Sequence, residues 1–242
     1  MTSFRPFPTF HLVTAVVGLL LIAGICIVGR RSRGTPWEPR LRAGLAALII
    51  IEQIAAYSCW AAASRFDLTW YLPLHPCRLI VGLAAVALLS RQRWPRAVLY
   101  FWALSVCCQP ILTPQPFDGL RDPDYWFFWF SHLVIVCVAI YDLTVRGFRP
   151  TSRDFAITAV VSLSYAAIVT PLDFAFGWDY GYLGRGVYKN YNATDVLPPG
   201  LLRPIFLAAA TAFMMFLLLV IWRTPPLSRW GRAALAAPAS GP

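Results

Sequence analysis

The sequence predicts an all-α fold: a polytopic membrane helical bundle of about seven transmembrane helices. Three observations predict it. Of 242 residues, 58% are hydrophobic and only 13% are charged. Apolar stretches recur along the whole chain, most of them long enough to cross the ~30 Å hydrocarbon layer as a helix. The basic residues collect in alternate connections between those stretches. A water-soluble reading would leave most of the apolar surface without a place to go.

Seven spans follow in order: Thr9–Gly29, Ala43–Ala63, Pro76–Ser90, Ala97–Leu112, Tyr125–Val145, Phe155–Phe174 and Leu201–Trp222. The first has about 20 apolar residues, no small-x-small cleavage site, and its positive cluster after it rather than before, so it reads as a retained helix and not a signal peptide. The second carries Glu52 and Gln53 near its middle. The third opens on Pro76, suited to a first helical position. The fourth ends on Gln109 and Thr113, the fifth holds His132, the sixth ends on Asp173, and Arg203 opens the seventh. The longest connection is about 25 residues, which leaves no room for a soluble domain and predicts one transmembrane domain over residues 1–242.

The net charge of +10 does not indicate nucleic acid. Fourteen of the twenty-one basic residues fall on one side: Arg30, Arg31, Arg33, Arg40 and Arg42 after span one, Arg91, Arg93 and Arg96 after span three, Arg146, Arg149 and Arg153 after span five, and Arg223, Arg229 and Arg232 after span seven. The positive-inside rule then predicts an outside N-terminus and a cytoplasmic C-terminus, with some attraction to anionic lipid heads. Twenty arginines against one lysine indicate a GC-rich bacterial genome, hence a multi-pass protein of the bacterial inner membrane. The sequon Asn192-Ala193-Thr194 is then a chance match.

With that topology, depth follows from about 1.5 Å of rise per residue. His11, His75 and His132, the three histidines of the chain, all fall in the outer half of the membrane on odd-numbered spans. Gln109, Thr113, Asp173 and Arg203 lie at the same level, with Glu52 deeper. A shared polar cavity beneath the outer surface is the expectation; each residue alone is equally readable as a satisfied core group. The connection Gly177–Gly200, rich in Gly and Tyr, is either an interfacial aromatic belt or a lid with Tyr180 and Tyr182 reaching inward.

The stretch YLPLHPCRLI supplies the chemistry. Pro76 biases His75 away from the helical region and places Cys77 in the first turn, where the helix dipole, free backbone amides and Arg78 favour a thiolate. The other cysteines sit in apolar runs that keep them neutral, without CxxC spacing or an extramembrane framework, and Cys26, Cys59 and Cys137 read as packing residues. A cysteine nucleophile needs a base and an oxyanion donor. His132 serves as base if spans three and five are neighbours, and the first-turn amides as the donor. His75, at the rim and two residues from Cys77, cannot share its helical face and is expected to orient a headgroup.

Five short motifs, PFPTFH, YLPLHPC, ILTPQPF, FFWFSH and WDYGYL, resemble in order the marks of the YwaF-type bacterial integral membrane family. That family is similar to a eukaryotic transmembrane cysteine-dependent acyltransferase that remodels ether phospholipids, and more distantly to the androgen-induced type of membrane lipid hydrolase. The resemblance implies Cys77 and His132 as the catalytic pair, a membrane phospholipid or lysophospholipid as substrate, and no cofactor or metal. The chain departs from the pattern at Asp179, where Asn is usual, at Gly184-Arg185-Gly186 in place of a Lys-Pro ending, and at Asp173, where an amide is expected. Two functional classes follow. One is acyl transfer or hydrolysis on a lipid, assisted by His75, His11, Arg78, Gln109, Asp173, Tyr180, Tyr182 and Glu52. The other is a non-enzymatic binding or transport protein whose clustered histidines hold haem, a metal or a small polar solute.

Overall fold

The computed structural model describes residues 9–63, 66–69, 71–112, 120–185, 197 and 200–224. Thr113, the sequon at Asn192, Arg229 and Arg232 lie outside them. Among the described residues the elements are α1 (Thr9–Arg31), α2 (Trp37–Ala62), α3 (Pro76–Leu89), α4 (Arg93–Ser105), the single turn α5 (Gln109–Leu112), α6 (Pro123–Thr144), α7 (Ser152–Phe176) and α8 (Leu202–Val220). Each expected span holds a helix, and no strand is present among the described residues.

Five of these helices are long and apolar enough to cross a membrane: α1, α2, α6, α7 and α8. The other two correct the expectation of seven full spans. At 14 and 13 residues, α3 and α4 are roughly 21 and 20 Å long. Helix α4 stops at Ser105, seven residues before the predicted Leu112, because Val106 N and Cys107 N both turn back to the Trp102 carbonyl and Pro110 has no N–H with which to resume the ladder. Irregular backbone at membrane depth is tolerated only inside protein. Here it is inside, with Ser105 and Cys107 both buried.

The inner helices are the short α3 and α4 and the longer α6. Helix α4 packs on α3, α6, α7 and α8, while α6 also touches α1 and α2. Two thirds of the α6 span is buried, 67% against 11% for α7. The outer helices turn bare apolar side chains outward, among them Leu20 and Leu21 on α1, Ile51 and Ile54 on α2, Val160 and Ile168 on α7 and Phe213 on α8. Apolar faces of that extent belong in lipid, so the fold defines a multi-pass helical membrane protein. Helix α1 lies close on α6, and at Gly29 a side chain would run into the Tyr141 ring.

One end of the bundle is clamped by arginines. Arg96 bonds both oxygens of buried Asp142 at 3.0 and 2.8 Å, and Arg146 reaches the same carboxylate at 3.1 Å. Arg93 forks onto Asp154 at 2.8 and 2.7 Å, where Asp154 also closes a capping box with Thr151 at the start of α7. Arg42 and Arg146 donate to the Leu88, Ala87 and Ser90 carbonyls that end α3, the favourable pole for a cation. The residues read as a topology signal thus also tie helix ends together.

Candidate active site

At the other end, α3 begins after an extended His75, whose φ of −65° and ψ of 138° make it the N-cap; Pro76 takes the first helical position and Cys77 the second. The Cys77 thiol has the Cys107 thiol, the His132 imidazole and the His75 ring as neighbours. Cys107 comes from the break after α4. The sequence places it in an apolar run that keeps a thiol neutral, and only the tertiary fold brings it beside Cys77.

His132 is held on α6 in one tautomer. Its Nδ1 contacts the Phe128 carbonyl at 2.7 Å, and a carbonyl only accepts, so Nδ1 carries a proton and, in the neutral ring, Nε2 is the nitrogen with the lone pair. The ring also lies against Phe128, 4.3 Å between centroids. Nε2 is sealed from solvent and makes no aligned hydrogen bond. The ring is a neighbour of the Cys77 thiol, and catalytic hydrogen bonds are often long or poorly aligned before substrate is present.

Cys77 also faces a cavity of about 270 Å³. His75, Pro76 and Cys77 form its head; Trp102, Ser105 and Gln109 form one wall; Tyr165 and Leu163 of α7 and Leu207, Thr211 and Met215 of α8 line its length; Tyr182 and Leu183 cover it. The α7 wall from Ala166 to Phe155 spans roughly 16 Å of helix and is largely apolar. His132 is not in the lining and meets the cavity only through Cys77.

His75 and Cys77 share this cavity, against the expectation from helical spacing, because His75 precedes the helix and the spacing rule does not reach it. Its Nδ1 accepts from Gly181 N at 3.3 Å, and its ring meets Tyr180 edge-on at 4.8 Å. Burial pushes the His75 imidazole down to about 4, so it is neutral at pH 7. The oxyanion expectation narrows. Arg78 N and Leu79 N both donate to the His75 carbonyl and Pro76 has no N–H, which leaves the Cys77 amide.

The covering loop is locked in place. Gly181 has φ 62° and sits where a Cβ would collide with the Tyr165 hydroxyl. Tyr182, with φ 60°, is the one positive-φ residue other than glycine among those described, a strained backbone of the kind found at functional sites. Asp179 accepts from Gly184 N at 2.9 Å, and buried Arg203 donates to the Tyr182 carbonyl at 3.0 Å and approaches Asp179 at 3.9 Å. The Tyr180 hydroxyl donates to the Leu68 carbonyl and accepts from Leu72 N at 3.2 Å, and Tyr165 donates to the Leu74 carbonyl at 2.7 Å. Tyr180 is therefore a strut, and Tyr182 is the loop tyrosine in the lining.

The remaining expected residues divide. Gln109 lines the cavity, its amide donating to the Ser105 carbonyl at 3.2 Å. Asp173 is fully buried close by; its oxygens make no aligned bond, and Tyr180 N is the adjacent donor. His11 is a correction to the cavity as expected: its Nε2 contacts the Ile111 carbonyl at 3.0 Å and its ring meets Trp129, so it joins α1 to α5 and α6 outside the lining. Arg78 and Glu52 are likewise outside. The Arg78 guanidinium lies 4.1 Å from the centre of the Trp60 ring, and Glu52 bonds Gln53 at 2.6 Å and Ser131 at 3.3 Å, forming a second polar group between α2 and α6. Among the described residues, no three His, Cys, Asp or Glu side chains are grouped so as to hold a metal ion.

Fold and site together define a polytopic helical membrane protein with a thiol and an imidazole as neighbours beside an apolar cavity. The model of the TMEM164 family matches residues 4–222, and the chain belongs to that transmembrane family. Comparisons with curated proteins and with solved structures returned no match.

Proposed function

We propose that this protein moves or removes a fatty acyl group on a membrane phospholipid, with Cys77 as nucleophile and His132 as base. The observation that carries the proposal is the placing of Cys77: its thiol meets His132, whose Nε2 is the unprotonated nitrogen, and opens on the other side into an apolar cavity. Sulfur attacks the ester carbonyl carbon as its proton passes to His132 Nε2, and the Cys77 amide faces the developing oxyanion. The tetrahedral intermediate collapses, the ester oxygen leaves with the His132 proton, and a thioester remains on Cys77. A lysophospholipid hydroxyl or water then attacks the thioester, giving its proton to Nε2, and the thiol is restored.

The resemblance to YwaF-type proteins and to the cysteine-dependent acyltransferase supports the same pair. The arginine distribution supports an outside N-terminus, a cytoplasmic C-terminus and a site in the outer leaflet of a bacterial inner membrane. Gln109 and Tyr182 in the lining suit headgroup contact, and the α7–α8 walls suit an acyl chain. The test is acyl transfer from a labelled phospholipid in proteoliposomes. Cys77→Ala and His132→Ala should each abolish it while inserting and folding as wild type does. Full activity in either variant removes the assignment.

A further inference from the structure

The acyl-transfer reading uses one of two sulfur atoms. Cys107 is fully buried and packs in the core cluster that Cys77 also joins, the two thiols being neighbours where α3 packs on α4. Cys77 sits in the first turn of α3, two residues after its N-cap, and Cys107 in the break after α4, both close to points where the backbone leaves regular helix. The neighbouring Cys108 points elsewhere, its thiol donating to the Leu104 carbonyl at 3.2 Å.

Access separates the roles. Cys77 lines the cavity and Cys107 does not, so a small oxidant meets Cys77 first. We propose that Cys77 and Cys107 form a reversible oxidation site, with Cys77 the thiol attacked by a hydroperoxide and Cys107 the thiol that resolves it. In the first step the Cys77 thiolate takes one peroxide oxygen, the O–O bond breaks, and the sulfur is oxidised to a sulfenic acid while the peroxide is reduced to water or an alcohol. In the second step Cys107 sulfur attacks Cys77 sulfur, the S–O bond breaks, water leaves, and a disulfide remains. A dithiol reductant reverses it. Closing the bond removes the cavity's one nucleophilic sulfur, so any chemistry at Cys77 stops until reduction.

The experiment needs no acyl-transfer assay and stands whether or not that reading holds. The full chain, purified in detergent, is exposed to hydrogen peroxide, its remaining thiols are alkylated, and its peptides are mapped by mass spectrometry. A Cys77–Cys107 linked peptide that disappears on dithiothreitol treatment is the expected product. In Cys107→Ala, dimedone should instead trap a sulfenic acid on Cys77; in Cys108→Ala the link should form as in wild type. Two free thiols after peroxide, or a link from Cys77 to Cys108, overturns the proposal, and wild-type mapping alone decides it if a variant fails to fold.

Discussion

At the arginine-rich end of the bundle, Asp142 and Asp154 are buried and matched by Arg96, Arg146 and Arg93 in close, forked bonds. At the Cys77 end, His132 Nε2, the Tyr57 hydroxyl and both Asp173 oxygens are buried with no aligned partner. Both ends bury polar groups in the same low-dielectric surroundings, and such groups normally find partners. On the proposed reading the difference separates two roles: the paired carboxylates fix helix positions, and the atoms around Cys77 serve a reactant or an incoming group.

The comparison sets the order of expected effects. Cys77→Ser should lower acyl transfer by at least about a thousandfold and leave the thermal midpoint near wild type, measured on the same preparation by turnover and by thermal unfolding. Asp142→Ala should do the reverse in kind. It leaves Arg96 and Arg146 buried against each other, at a cost of about 3–5 kcal/mol, read as a lower midpoint of unfolding. Loss of stability in the first with none in the second would invert the assignment of the two ends.

A smaller effect is expected from His75. Its folded-state pKa lies below the ordinary 6.5 at about 4, so the unfolded chain binds more protons between those values. Stability should then be complete above pH 6.5 and fall as pH drops toward 4, by no more than about 1.4 kcal/mol per unit and by less because His75 is only half-buried beside the cavity. Unfolding midpoints at pH 7 and 5 check this, with His75→Gln flattening the dependence. The smallest change is Asp173→Asn. Removing a carboxyl sealed from solvent without aligned partners should raise the midpoint slightly, as unsatisfied buried groups cost about 1–3 kcal/mol, and a lowered midpoint would mean that Asp173 has a partner on which the fold depends.

The spans were legible because lipid demands long apolar stretches, and each of the seven predicted segments holds a helix. Depth was legible too. His11, His75 and His132 do lie toward one end, since rise per residue fixes height. Direction around a helix axis is what sequence depth leaves out, and it separates His11, turned to Ile111 and Trp129, from His75 in the cavity lining. The same gap hid Cys107, whose meeting with Cys77 depends on α3 packing against α4. Pro110 signalled the break that carries Cys107, but its apolar neighbours made a continuous span the simpler reading. The pairing of Asp142 with Arg96, and of Asp179 with Arg203, joins residues far apart in the chain and is a product of the tertiary fold, whereas Arg146 reaches Asp142 from only four residues away.

The most direct test of a thiol nucleophile is the intermediate it forms. Purified protein incubated with a phospholipid of known acyl chain, quenched in acid and digested, should yield a Cys77 peptide heavier by that acyl group, labile to hydroxylamine and absent from Cys77→Ala. Turnover that proceeds with Cys77 unmodified, or with the acyl group on another residue, would contradict the account.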